Sequence, residues 1–108
     1  MKIFYVTLNS DAEARAVARD LLERRAAVCC NWLPITCAYR WGEEIKEEPE
    51  VVLLVKTQDG MRATIEEAVA RHVAYLNCVA EIAPASVNGG FLDWLDRDAP
   101  RLSVKPSP

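Results

Sequence analysis

Strand-like and helix-like segments follow one another along this chain as β-α-β-β-α-β with a short helix after the last strand. That order predicts an α+β, ferredoxin-like domain, an antiparallel four-stranded sheet with both long helices on one face. Three observations carry the prediction. Residues 2–7 and 50–57 are rich in β-branched, aromatic and aliphatic side chains. Residues 14–22 and 61–72 bear apolar stripes at helical spacing. Gly42-Glu43-Glu44 can turn the chain between two consecutive strands, which sets a hairpin between two crossovers.

The first strand, Lys2 to Thr7, ends at the Asn9-Ser10-Asp11 punctuation. Ser10 with Glu13 three residues later is a capping-box pattern, and Ala14, Val17, Ala18, Leu21 and Leu22 then form one helical face. Arg15, Arg19, Glu23 and Arg24 fall on the solvated side. From Ala27 to Trp41 the chain reads as one long bent strand, with Pro34 confined to an edge, bend or bulge because it has no N–H for a ladder. Glu50 to Thr57 is the strongest strand, and its continuous apolar run suits a central position covered on both faces. In a two-layer domain one sheet face is free, so this run points to burial against another subunit. Asp59 is the expected cap of a second helix with the stripe Met61, Ile65, Ala68, Val69 and His72. A fourth strand is expected over Asn77 to Val87, and Asn88-Gly89-Gly90 precedes a short helix at Phe91 to Leu95.

The 108 residues amount to one domain, here expected over residues 1–98 with a Pro-containing tail at 99–108. With 51% apolar and 27% charged residues the composition is that of a folded globular chain rather than a disordered or fibrous one. A net charge of −3 offers no footprint for nucleic-acid phosphates. The apolar run Val51 to Val55 is far short of the roughly 20 residues that cross a bilayer, so no membrane partner is expected. Asp11, Glu13 and Arg15 interrupt the N-terminal apolar stretch before a signal-peptide core forms, and a cytoplasmic location with the mature chain starting near Met1 is expected.

Several chemistries can be set aside on residue pattern. Glycines at 42, 60, 89 and 90 cannot build either Gly-rich nucleotide loop. Cys29, Cys30, Cys37 and Cys78 match neither a CxxC pair nor a zinc-finger spacing, and as reduced thiols several of them read as small buried hydrophobes. A triad would have to use His72 with Cys78 and Glu81, which are close only in sequence. His72, at the end of the second helix, suits a cation beside the last carbonyls, or else a metal ligand together with a thiolate. The run Glu43, Glu44, Lys46, Glu47, Glu48, Glu50 reads as the solvated face of a hairpin tip, the alternative being five carboxylates that attract cations loosely. Trp32 and Trp41, large aromatics on a strand, mark a candidate subunit interface.

Ala26-Ala27-Val28-Cys29-Cys30-Asn31-Trp32-Leu33-Pro34 followed by Tyr39-Arg40-Trp41-Gly42 resembles the CutA family of divalent-cation tolerance proteins. Those proteins carry an Ala-Ala-Cys-x-Asn-x-x-Pro stretch and a Tyr-x-Trp-x-Gly hairpin. Val6-Thr7, Ala18 to Arg25, Glu50 to Thr57 and Asn88 to Leu95 line up as well. The resemblance implies the same ferredoxin-like fold and a homotrimer, with Trp32, Tyr39 and Trp41 at subunit interfaces. It also implies a relation to copper or a similar transition metal and no organic cofactor. Where the family usually reads His-Pro-Tyr-x-x-Pro-Glu, this chain has His72-Val73-Ala74-Tyr75-Leu76-Asn77-Cys78. His72 matches the family histidine, Cys78 stands at the glutamate position, and Val6 stands where some members have a first-strand cysteine. His72 and Cys78 are therefore the candidate metal ligands, with sulfur favouring Cu(I).

Three functions follow as expectations. The first is a non-enzymatic trimer that binds metal ions and contributes to metal tolerance. The second is a trimeric signalling or scaffold protein whose inter-subunit clefts take a small metabolite or a partner protein. The third is a thiol enzyme built on Cys78 or Cys29.

Overall fold

The computed structural model describes residues 1–98, so the expected tail at 99–108 lies outside the described residues. Seven elements follow in order: β1 Lys2–Leu8, α1 Asp11–Glu23, β2 Cys29–Trp41, β3 Glu44–Thr57, α2 Arg62–His72, β4 Val79–Ile82 and α3 Gly89–Asp98. The sheet order is β2-β3-β1-β4 with every neighbour antiparallel, the predicted split βαβ arrangement. No helix among the described residues is long and apolar enough to cross a membrane.

Alternation along the strands separates two faces. Phe4, Val6 and Leu8 pair with Val55, Leu53 and Val51, and all six are buried in one core with Ala14, Val17, Ala18 and Leu21 of α1 and Ile65, Ala68 and Val69 of α2. On the opposite face Val52 is also only 5% exposed in the single chain. Leu54, on the same face as Val52, stays only partly buried, so this side of the apolar run is not wholly covered within one chain. The large apolar side chains left in water include Leu33, Trp41, Ile45, Leu76 and Ile82.

Ser10 caps α1 as expected, its Oγ accepting from the Glu13 N–H at 3.1 Å. Glu13 reaches back one residue further than a capping box requires, accepting from the Asn9 N–H at 2.9 Å. The helix stops in a Schellman arrangement, with Ala26 N–H donating to Leu21 O at 2.8 Å and Arg25 N–H to Leu22 O at 3.1 Å. Arg25 adopts the left-handed backbone, φ 59°, that glycine usually takes at such a stop. The buried Thr57 hydroxyl donates to Ala26 O at 2.8 Å and ties this stop to the sheet.

Several boundaries differ from expectation. β3 begins at Glu44 rather than Glu50, because the acidic run is paired residue by residue with β2 from Trp41↔Glu44 to Ile35↔Glu50. Pro34 and Pro49 are tolerated because β2 is an edge strand and β3 before Val51 pairs with β2 alone. Gly42, at φ 63°, supplies the turn between them. Asp59 does not cap α2: the N-cap is Met61, Gly60 lies between them at φ 82°, and Asp59 faces the Met1 amine at 4.0 Å and Lys2 Nζ at 3.8 Å. β4 is four residues long: just before it the Asn77 side chain and the Cys78 N–H bond Thr7 through side-chain groups, and beyond it Pro84 carries no N–H. α3 is longer than the aromatic motif and buries Leu95, while Lys56 Nζ lies over the Phe91 ring, 5.5 Å from its centroid.

Candidate functional site

The residues marked by sequence fall into two surroundings. His72, in the last turn of α2, has Nε2 2.8 Å from Asp20 Oδ2. Arg71 donates to the same carboxylate at 3.1 and 3.3 Å, and Arg24 also bonds it. Burial opposes the Asp20 charge, but the bonds from Arg71, His72 and Arg24 outweigh it and bring the carboxyl down to about 2. This cluster joins α1 to α2. With the proton on Nε2, the ring donates to Asp20 and Nδ1 is its open acceptor.

Cys78 sits elsewhere, at the end of β1. Its N–H donates to Thr7 Oγ1 at 3.0 Å, its carbonyl accepts from Thr7 N–H at 3.1 Å, and Asn77 Nδ2 donates to Thr7 O at 2.9 Å. Tyr75, three residues earlier, donates its hydroxyl proton to Glu13 Oε1 at 2.5 Å and accepts from Asn9 N–H at 2.9 Å. Burial and the bond to Glu13 push the phenol up to about 12, so it stays protonated. These bonds fix the 75–78 segment against the start of α1.

An open groove of about 670 Å³ lies between this segment and the β2–β3 ribbon. Cys37, Tyr39 and Trp41 alternate along β2, and Glu48 stands directly across from Cys37, so they share one face with Glu50. Tyr39 donates to Glu48 Oε1 at 2.8 Å, which raises the phenol, and the ring meets Trp41 edge-on at 6.3 Å. Partial burial and the nearby Glu50 and Glu48 charges raise the Cys37 thiol. Sequence reading took Cys37 for packing and Glu48 and Glu50 for a solvated hairpin tip, and gave Tyr75 and Leu76 no role. The available signal was strand parity opposite Ile35 and Cys37, once the acidic run is recognised as strand.

Tyr39, Trp41 and Cys78 are thus brought to one groove, and His72 is not among its lining residues. Trp32 faces the other side of β2, where its Nε1 donates to Asp11 Oδ1 at 2.8 Å and Arg15 stacks 5.4 Å from the ring. Among the described residues no three His, Cys, Asp or Glu side chains are grouped to hold a metal ion.

The family model described as CutA1 divalent ion tolerance protein matches residues 2–98. This chain belongs to the CutA1 family. It is 35% identical over 96 residues to the divalent-cation tolerance protein CutA of Thermus thermophilus, covering 87% of this chain and 93% of that one. It is 34% identical over 93 residues to the CutA homolog of Xenopus laevis, where the match covers 84% of this chain and 62% of the longer relative. A solved structure of the periplasmic divalent cation tolerance protein CutA from Archaeoglobus fulgidus superposes with a TM-score of 0.84 at 31% identity, covering 92% of this chain and 99% of that one. The CutA1 name speaks of tolerance to divalent ions and of no reaction.

Proposed function

We propose that this chain works as a homotrimeric, non-catalytic protein of divalent-cation tolerance that binds copper or a similar transition-metal ion through His72 and Cys78. CutA1 membership over residues 2–98 is the observation that carries the reading. Asp20 holds His72 through Nε2 in the manner of carboxylates that orient metal-binding imidazoles, leaving Nδ1 for an ion. Cys78 is an exposed thiol, a soft donor suited to Cu(I). No three donors are grouped among the described residues, and in this reading the remaining ligands come from a neighbouring subunit, which couples metal binding to assembly. Exposed Trp41, Leu33 and Ile45, with Tyr39 and the open part of Trp32, supply apolar surface for the subunit contacts. The four free cysteines accord with a reducing, cytoplasmic setting.

Sedimentation equilibrium tests the assembly: a mass near three chains of 12.1 kDa is expected, and a single-chain mass overturns it. Cu(I) titration of the wild type and of a His72→Ala, Cys78→Ser variant tests the donors. Weaker binding in the variant supports them, and equal binding removes them.

A second reading is favoured by the groove itself. Its walls carry Tyr39, Trp41, Tyr75 and Leu76 beside two carboxylates, a lining suited to a small organic metabolite in a cleft that subunit contacts would border.

A further inference from the structure

We propose that the Asn88-Gly89 peptide, between β4 and α3, is a site of spontaneous covalent modification, at which Asn88 loses ammonia through a cyclic imide and becomes aspartyl or isoaspartyl. The change is slow and one-way, and it alters both charge and backbone at the start of α3. It lies outside β2 and β3, whose side chains supply the subunit contacts proposed above.

The reaction consumes water and needs no other reactant than a base to take a proton. The Gly89 nitrogen loses its proton and attacks Asn88 Cγ. A five-membered ring closes as the N–Cγ bond forms and the Cγ–Nδ2 bond breaks, and ammonia leaves. Water then opens the ring. Addition at Cγ breaks its bond to the Gly89 nitrogen and leaves aspartate. Addition at the main-chain carbonyl carbon leaves isoaspartate, with the chain rerouted through Cβ and Cγ. Nothing is oxidised or reduced.

The junction favours the first step. Asn88 is exposed, and the residue after it has no Cβ to hinder the attack. Gly89 opens α3, where a helical N–H has no partner in its own helix. Neither that N–H nor the Asn88 side-chain amide has a hydrogen-bond partner among the described residues. Asn88 caps α3 with its main chain alone, its carbonyl accepting from Leu92 N–H at 3.2 Å. Its Nδ2 lies 3.9 Å from where a Cβ on Gly90 would stand, so the side chain reaches forward over the two glycines. Nucleophile and carbonyl carbon are thus neighbours in one chain, which removes the entropy cost of bringing them together.

The fold does not require glycine at 89. The glycines with positive φ are Gly42 and Gly60, and a Cβ on Gly89 would meet nothing within 4 Å. The other asparagines are held differently. Asn77 Nδ2 donates to Thr7 O, and the nitrogen that would attack it, that of Cys78, donates to Thr7 Oγ1. Asn31 is paired with Leu54 inside the sheet and precedes the bulky Trp32, and Asn9 precedes the α1 cap Ser10.

The two products act differently on α3, which buries Leu95 and sets Phe91 against Lys56. Aspartate keeps the cap and adds a charge that the helix N-terminus favours. Isoaspartate inserts a carbon into the main chain and displaces the carbonyl that Leu92 bonds.

The test incubates the full chain in mildly alkaline buffer and follows each asparagine by peptide mapping, with fragmentation that separates the two products. A mass gain of one unit at Asn88 is expected while Asn9, Asn31 and Asn77 stay intact. The rate should fall about tenfold or more in Gly89→Ala, whose fold circular dichroism checks. The native rate should lie within about tenfold of that in chain unfolded by guanidinium chloride. A slower native rate, a smaller effect of Gly89→Ala, or equal conversion at another asparagine overturns the site. Hydrogen exchange over residues 89–98 should quicken in the isoaspartyl fraction and not in Asn88→Asp. Equal protection in the two overturns the effect on α3, and mapping alone decides the site.

Discussion

The β2–β3 pair passes through two different environments. From Cys29 to Pro34 and from Val51 to Thr57 it belongs to the four-stranded sheet, with β1 beside it and α1 and α2 over one face. From Ile35 to Glu50 the same two strands run on as a ribbon whose only pairing is with each other. In the first region the inward side chains Leu53 and Val55 are fully buried, whereas in the second Trp41 and Ile45 are 63% and 69% exposed. The difference teaches that backbone pairing and core formation are separable. The body has the hydrophobic burial that folds a single chain, while the ribbon carries the groove and the exposed apolar surface.

The largest expected effect lies in the body. Leu53→Ala, at a position with no exposed surface, should cost about 2–5 kcal/mol in urea denaturation. A cost below about 1 kcal/mol would mean that the core is looser than its burial indicates. The α1–α2 latch comes next. Asp20 titrates near 2 in the folded chain against 3.8 for the ordinary group, so its contribution is present above pH 3.8 and lost as pH falls through about 2. Asp20→Asn should cost about 1–2 kcal/mol at neutral pH and flatten the acid limb of stability over that window. An unchanged limb would show that Asp20 does not couple the helices. The smallest effect belongs to the ribbon. Ile45→Thr should stay within about 0.5 kcal/mol in chains dilute enough to be separate. A larger loss there would break the contrast, and a change in sedimenting mass at higher concentration would sharpen it by making Ile45 a subunit contact.

Local patterns in the sequence were enough for the elements whose signal is itself local. Ser10 and Glu13 announced the start of α1, and the Val51 to Val55 run announced a central strand. The ribbon was misread because Glu43 to Glu50 alternates charge with Ile45 and Pro49, a pattern shared by solvated turns and unaccompanied strands. Only pairing with β2 distinguishes the two. Asp59 failed as a cap because Gly60 turns the chain before the helix begins, and no propensity rule places that turn two residues upstream. At the candidate site the gap has another cause. His72 meets Asp20 and Tyr75 meets Glu13 across 52 and 62 residues, so topology alone brings them together. The resemblance that singled out His72 and Cys78 aligned two motif positions without the strand and helix ends that separate their surroundings.

Arg25 gives the α1 stop a consequence beyond its geometry. The left-handed backbone there is one that glycine would adopt without strain, yet glycine would also enlarge the ensemble that the unfolded chain explores. With arginine, native strain is set against a more restricted denatured chain. The position at which the first crossover turns toward β2 therefore owes its stability partly to states in which neither α1 nor β2 exists.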